Sequence, residues 1–258
     1  MPEKNDRTGE HFINKKELGG YEFIIIKYNN NKKVFVQFQD EHKAIVPTNY
    51  QACKNGSVKN PYHPSVYGVG YLGQGEYKAK INGKRTEYYK YWQGMLQRCY
   101  DNKCKNKEQT YKDCFANEET YCLQNFGRWF EDNYYEVEGE TMQLDKDILV
   151  KGNKEYRFDR MIFVPQRINL LFVKRDSERG DCPIGVSYNK NANKYVAYCG
   201  TNKDKVEYLG LYNTEEEAFL VYKEFKEQYI KQIADNYKDR IPKELYDAMY
   251  RWEVKIND

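Results

Sequence analysis

The stretch from Leu144 to Asn169 constrains the fold of this chain more than any other. It opens with Leu144-Asp145-Lys146-Asp147-Ile148, passes through Gly152-Asn153 and closes with Val164-Pro165-Gln166-Arg167-Ile168-Asn169. An apolar-flanked polar pair, a glycine-asparagine turn and a short apolar run ending in proline read as strand, loop, second short strand and helix start.

The rest of the chain reads as modules around that stretch, and 258 residues leave room for two or three small domains. Residues 1–20 are polar and are expected to form a flexible tail. Tyr21–Ile26 and Val34–Phe38 carry strand patterns on either side of an asparagine-rich turn, and the Gly/Pro-rich passage 60–75 suits irregular loops. Residues 21–87 therefore read as a small β module. Gly70, Gly73 and Gly75 lack the lysine-serine pair and following helix of a phosphate loop, so that reading is discarded.

The period then changes. Trp92, Met95, Leu96, Cys99 and Tyr100 share one helical stripe, and Leu123, Phe126, Trp129 and Phe130 mark a second helix over about 120–134. These helices are expected to back the 141–175 stretch, giving a central unit over 88–180. Over 181–258, Ile184–Tyr188, Lys194–Tyr198 and Val206–Tyr212 read as three strands. Thr214-x-x-Glu217 is a capping box that opens a long amphipathic helix, and Pro242 separates it from one more short helix. The expected class is α+β: an N-terminal β module, a central helical unit with the strand–strand–helix stretch, and a C-terminal three-stranded sheet packed on a helix.

The chain has no run of about eighteen apolar residues and no charged-then-apolar leader, so neither a membrane span nor a secretory signal is expected. Seven cysteines in that setting point to reduced thiols in a cytosol. Cys99, Cys104, Cys114 and Cys122 lack the paired spacing of a zinc ribbon, and two readings stand, zinc ligands or buried free thiols. Cations outnumber carboxylates in residues 1–90 and the reverse holds in 91–140, so the N-terminal region permits an electrostatic footprint for nucleic acid, with ordinary solvated lysines as the other reading. The 26 tyrosines suit half-buried sheets and base or phosphate contact equally.

On these residues the 144–169 stretch resembles the ββα-metal unit of HNH homing endonucleases. The resemblance implies that Asp145 is the metal-side residue, Asn153 the loop asparagine that orients the base, and Asn169 the helix-borne residue completing the metal site. It implies Mg²⁺ or Mn²⁺ at Asp145 and Asn169 if the site is active. The family's general-base histidine falls on Lys146, and the only histidines are His11, His42 and His63, far upstream. An unperturbed lysine is protonated at neutral pH and cannot act as a base. Another reading makes Asp145 and Lys146 a strand-end ion pair and Asn153 a turn residue. A third keeps the unit as a DNA-docking scaffold, with Lys146 and Arg167 on phosphate.

Residues 185–218 resemble the APETALA2-type DNA-binding domain. The matching residues are Gly185-Val186, Lys194-Tyr195-x-Ala197 and Leu209-Gly210-x-Tyr212-x-Thr214-x-Glu216-Glu217-Ala218. The resemblance implies a sheet that lies in the major groove with a helix behind it. The places of the family's base-reading arginines hold Ser187, Asn189, Tyr198 and Gly200, so contact would fall to Tyr188, Lys190, Lys194, Tyr195, Lys203, Lys205 and Tyr208. Together the modules resemble bacteriophage-borne HNH–APETALA2 proteins over about residues 88–235.

The leading expectation is thus a phage or mobile-element protein that binds double-stranded DNA in a bacterial cytosol, with cleavage lost or weak. An active metal-dependent nicking endonuclease is the alternative. A third is a protein-interaction module, for instance an inhibitor of a host defence enzyme.

Overall fold

Alternation of apolar and polar residues over 22–38 builds the first sheet. The computed structural model describes residues 6–107, 111–173, 181–202 and 205–258. They fall into two compact units, Met1–Asn133 with Lys154–Asp159, and Tyr134–Asn153 with Arg160–Asp258.

In the first unit β1 (His11–Ile13), β2 (Glu22–Asn30), β3 (Lys33–Phe38) and β4 (Ile45–Thr48) form an antiparallel sheet in that order. Phe23, Ile25, Val34, Val36 and Phe38 point to one side and pack with Ala44, Cys53 and Val58. Cys53 lies on the short helix α1 (Tyr50–Lys54), capped by Asn49. The expected flexible tail is instead partly built into this sheet. Asn14, 3% exposed, donates to the carbonyls of Leu18 and Val58 and accepts from the Tyr21 N–H, which fixes the segment.

A hairpin of β5 (Lys80–Ile81) and β6 (Lys84–Arg85) precedes α2 (Glu87–Tyr100) and α3 (Asn102–Lys107). The expected stripe of α2 is fully buried at Trp92, Met95, Leu96 and Cys99, and the Trp92 indole donates to the carbonyl of Thr120. β7 (Phe115–Ala116) pairs in parallel with Glu155–Tyr156, which as the ninth strand of the chain is β9. α4 (Leu123–Asn133) buries Leu123, Phe126 and Phe130, and Tyr77 lies flat on its Gly127, where an added Cβ would meet the ring at 2.3 Å. These helices thus belong with the N-terminal sheet, whereas the sequence grouped them with the 141–175 stretch. The anchors are the Tyr77 side chain on Gly127 and Glu131, and the loop carbonyls of Leu72 and Tyr77, which accept from Gln124 of α4. The 60–80 loops carry no periodic signal.

In the second unit β8 (Met142–Asp145) and β10 (Ile162–Pro165) pair antiparallel and lead directly into the single turn α5 (Gln166–Asn169). The antiparallel sheet β11 (Val186–Asn189), β12 (Lys194–Asn202) and β13 (Lys205–Tyr212) follows. It packs on α6 (Glu215–Tyr237), whose Thr214–Glu217 capping box is formed. α7 (Lys243–Tyr250) begins after Pro242, and Tyr246 and Tyr250 donate to Asp235 of α6. The architecture is α+β, with a four-stranded sheet, central helices and a three-stranded sheet on a long helix. Among the described residues no helix is long and apolar enough to cross a membrane.

Candidate nucleic-acid interface

Strand alternation on β8 buries Met142 and Leu144 and leaves Gln143 and Asp145 half-buried on the other side. Pro165 ends β10 opposite Met142, and the Gln166 N–H donates to the Thr141 carbonyl, which sets the start of α5. Asn169, at the end of that turn, donates its side-chain amide to Gln143 Oε1 at 2.6 Å. The structure therefore links β8 to α5 through Gln143, a residue the sequence did not single out.

Asp145 is half-buried and accepts the Asp147 and Ile148 N–H groups on Oδ1, each at 2.8 Å. Burial pushes its carboxyl up to about 7, with the charge of Asp147 adding to the effect, while the two N–H donors and Lys146 oppose it. Lys146 is 4% exposed, and its Nζ lies 3.1 Å from Asp147 Oδ2. The hydrogen-bonded ion pair thus forms with Asp147 rather than with Asp145. Asn153 donates to the carbonyl of Lys146 at 2.7 Å and closes the turn. That bond orients the backbone at the position where the family resemblance puts the base, whatever side chain stands there.

The divalent cation implied by the HNH resemblance does not fit this donor set well. Among the described residues no three His, Cys, Asp or Glu side chains converge as a metal group. Asp145 spends one oxygen on backbone N–H groups, Asn169 is bonded to Gln143, and the buried ammonium of Lys146 already answers Asp147. Among the described residues the cysteines form no disulfide; Cys99, Cys114 and Cys122 are buried and Cys104 is half-buried. Arg167 is exposed on α5 and forms no ion pair among the described residues.

The C-terminal sheet has two unlike faces. Val186, Ala197 and Cys199 pack against Ala218, Phe219 and Tyr222 of α6, with Tyr195, Leu209 and Tyr212 around them. Gly185 is required at its edge: its φ is +76°, and an added Cβ would meet the Tyr222 ring at 2.1 Å. The opposite face carries the cross-strand rows Ser187–Val196–Leu211, Tyr198–Tyr208 and Gly200–Val206. Val196 is buried, but Leu211, Tyr198, Tyr208 and Val206 are exposed, and the two tyrosine rings lie 5.8 Å apart.

The residues expected to touch DNA divide between these faces. Lys190 and Lys194 are exposed at one end of the sheet, where Lys194 pairs with Asn189 in the ladder. Tyr195 sits on the helix side, and Tyr188, opposite it in the ladder, packs its ring at 5.2 Å and donates to Asn193. Lys205 forms a 2.6 Å pair with Glu207, which lies opposite Cys199 on the helix side. Lys203 lies outside the described residues. Tyr208, one of the expected contact residues, and Val206, absent from that set, are the most exposed large apolar side chains of the outward face. Plain alternation misplaces them, because the ladder shifts register at Ala197/Tyr198 and puts Leu209 and Gly210 together on the helix side.

Comparison of the chain with protein-family models, curated proteins and solved structures gives no match.

Proposed function

We propose that this chain is a double-stranded-DNA-binding protein derived from an HNH homing endonuclease of a phage or mobile element, with cleavage lost or weak. The observation that carries the reading is Lys146. It stands at the place of the base, is almost fully buried, and has its ammonium bonded to Asp147. With its Nζ turned to Asp147 and almost closed off from solvent, the side chain is not placed to take a proton from an attacking water. Asn153 still holds the Lys146 carbonyl, so the turn keeps its shape without its chemistry.

Binding in this reading falls to the outward face of β11–β13. Tyr198 and Tyr208 offer apolar rings with polar tips, and Lys190 and Lys194 supply charge at one end. Leu211 and Val206 extend the apolar surface available to thymine methyl groups and deoxyribose.

The test is incubation with supercoiled plasmid and Mg²⁺ or Mn²⁺, run on a gel before and after detergent stripping. A retarded band that returns to the supercoiled position supports the reading. Relaxed or linear plasmid, absent with Asp145→Ala, replaces it with an active nickase. No retardation at low salt removes the DNA-binding reading and leaves the protein-interaction alternative.

A further inference from the structure

The first unit carries a feature that the reading above does not use, the β5–β6 hairpin. Residues 77–86 read Tyr-Lys-Ala-Lys-Ile-Asn-Gly-Lys-Arg-Thr, with Lys78, Lys80, Lys84 and Arg85 and no carboxylate. Asn82 and Gly83 both have positive φ, 51° and 79°, the geometry of a tight two-residue turn between twisted strands. Lys80 pairs with Arg85 and Ile81 with Lys84. Because side chains alternate, Lys80 and Arg85 lie on one face of the ribbon and Lys84 and Ile81 on the other.

The base of this hairpin is fixed and its tip is not covered. Thr86 donates from its N–H to the Ala79 carbonyl and from its hydroxyl to the Lys78 carbonyl, and the Lys78 N–H donates to the Tyr88 hydroxyl at 2.9 Å. Tyr77 is buried against Gly127, and its hydroxyl donates to Glu131 at 2.7 Å. Beyond that anchor Lys80, Ile81, Asn82, Gly83, Lys84 and Arg85 are all exposed, Ile81 by 55%. None of Lys80, Lys84 and Arg85 makes an ion pair among the described residues.

A two-stranded ribbon on its own gains little from an exposed isoleucine and unpaired cations. We propose that this hairpin enters a groove of double-stranded DNA, with Lys80, Lys84 and Arg85 on phosphates and Ile81 on the groove interior. The B-form major groove is wide enough for a two-stranded ribbon. A groove has phosphates along both walls, which matches cations on both faces of the ribbon. A flat anionic surface such as a membrane would call for cations on one face. The hairpin names the same partner as the outward face of β11–β13, but it rests on different residues in a different unit.

The experiment measures the full-length protein on a fluorescent duplex by anisotropy, across a salt series. It compares the wild type, Lys80→Ala/Lys84→Ala/Arg85→Ala and Tyr198→Ala/Tyr208→Ala, with thermal melts showing that each remains folded. Loss of three phosphate contacts is expected to lower the slope of log K against log salt by about 2.7, and to weaken binding roughly tenfold or more at low salt. The proposal falls if the hairpin variant matches the wild type in both quantities; weaker binding by the tyrosine variant then leaves the sheet reading intact. The reverse pattern, with only the hairpin variant impaired, supports the hairpin and removes the sheet as the binding surface. Absence of duplex binding by the wild type overturns both. Hairpin-dependent adsorption to phosphatidylserine vesicles with unchanged duplex binding also overturns the proposal.

Discussion

The β8–β10 turn and the three-stranded sheet belong to one compact unit and treat their polar side chains in opposite ways. In the turn, Asp145, Lys146, Asn153 and Asn169 all spend hydrogen bonds on the protein itself. In the sheet, the outward tyrosines, Leu211 and Val206 face solvent, although their strands are anchored from behind by α6. Residues that match a catalytic pattern here serve as internal struts. The residues free to meet a partner are those to which the catalytic pattern gives no role. A motif match reports where a side chain is placed, and its chemistry depends on which groups already hold it.

The largest way to break this contrast is Lys146→Ala. If the ammonium is a strut, its removal leaves Asp147 and Asp145 crowded without a cation, and urea unfolding should show a loss of about 3 kcal/mol. A change below about 0.5 kcal/mol, the range of ordinary surface substitutions, would mean that the turn does not depend on the ammonium.

Asp145 gives a signed test. Its folded carboxyl is raised to about 7 while an unfolded aspartate titrates near 3.9, so the native state holds an extra proton between those values. Its contribution therefore makes stability fall as pH rises through that window, with the full cost present above it. Asp145→Asn keeps an oxygen for the Asp147 and Ile148 N–H groups and removes that cost. A gain on the order of 2 kcal/mol at pH 8, absent at pH 4, is expected from melts at the two values. Equal gains at both would assign the effect to something other than titration.

Asn153→Ala should cost about 1–2 kcal/mol, because the Lys146 carbonyl loses its amide donor. The loss is expected in chemical denaturation, and if the turn is only a strut it brings no change in duplex affinity. The smallest effect on stability comes from the sheet. Tyr198→Ala with Tyr208→Ala should leave unfolding within about 0.5 kcal/mol, since both are exposed. The same pair should weaken duplex binding about tenfold, read by anisotropy. A drop in stability without a drop in affinity would reverse the assignment of roles.

Local patterns were legible in the sequence. The Trp92–Cys99 stripe, the Thr214–Glu217 cap and the strand–loop–strand–helix order of 142–169 all depend on neighbours within a few residues. Pairings set by distant contacts were not. Strand β1 is three residues long, with no alternation long enough to read; it is held by its ladder with β2, and Asn14 just after it is bonded across to Val58. One of the open readings pairs Lys146 with Asp145, and the structure has it on Asp147: both neighbours are aspartates, and a reversing backbone decides which carboxylate the amine reaches. Tyr195 was counted among the contact residues for its type, while its strand parity places it beside the helix.

The strand β9 belongs to the first unit although it is cut from the loop between β8 and β10 of the second. The chain therefore crosses between units at 133–134, 153–154 and 159–160. No single crossover in a gene can exchange one unit for a homologue's without splitting the other. A fragment ending at Asn133 lacks the partner strand of β7, and one beginning at Tyr134 carries β9 as an orphan edge. Cutting the chain at any one of these crossings therefore leaves a strand of one unit on the piece that carries the other.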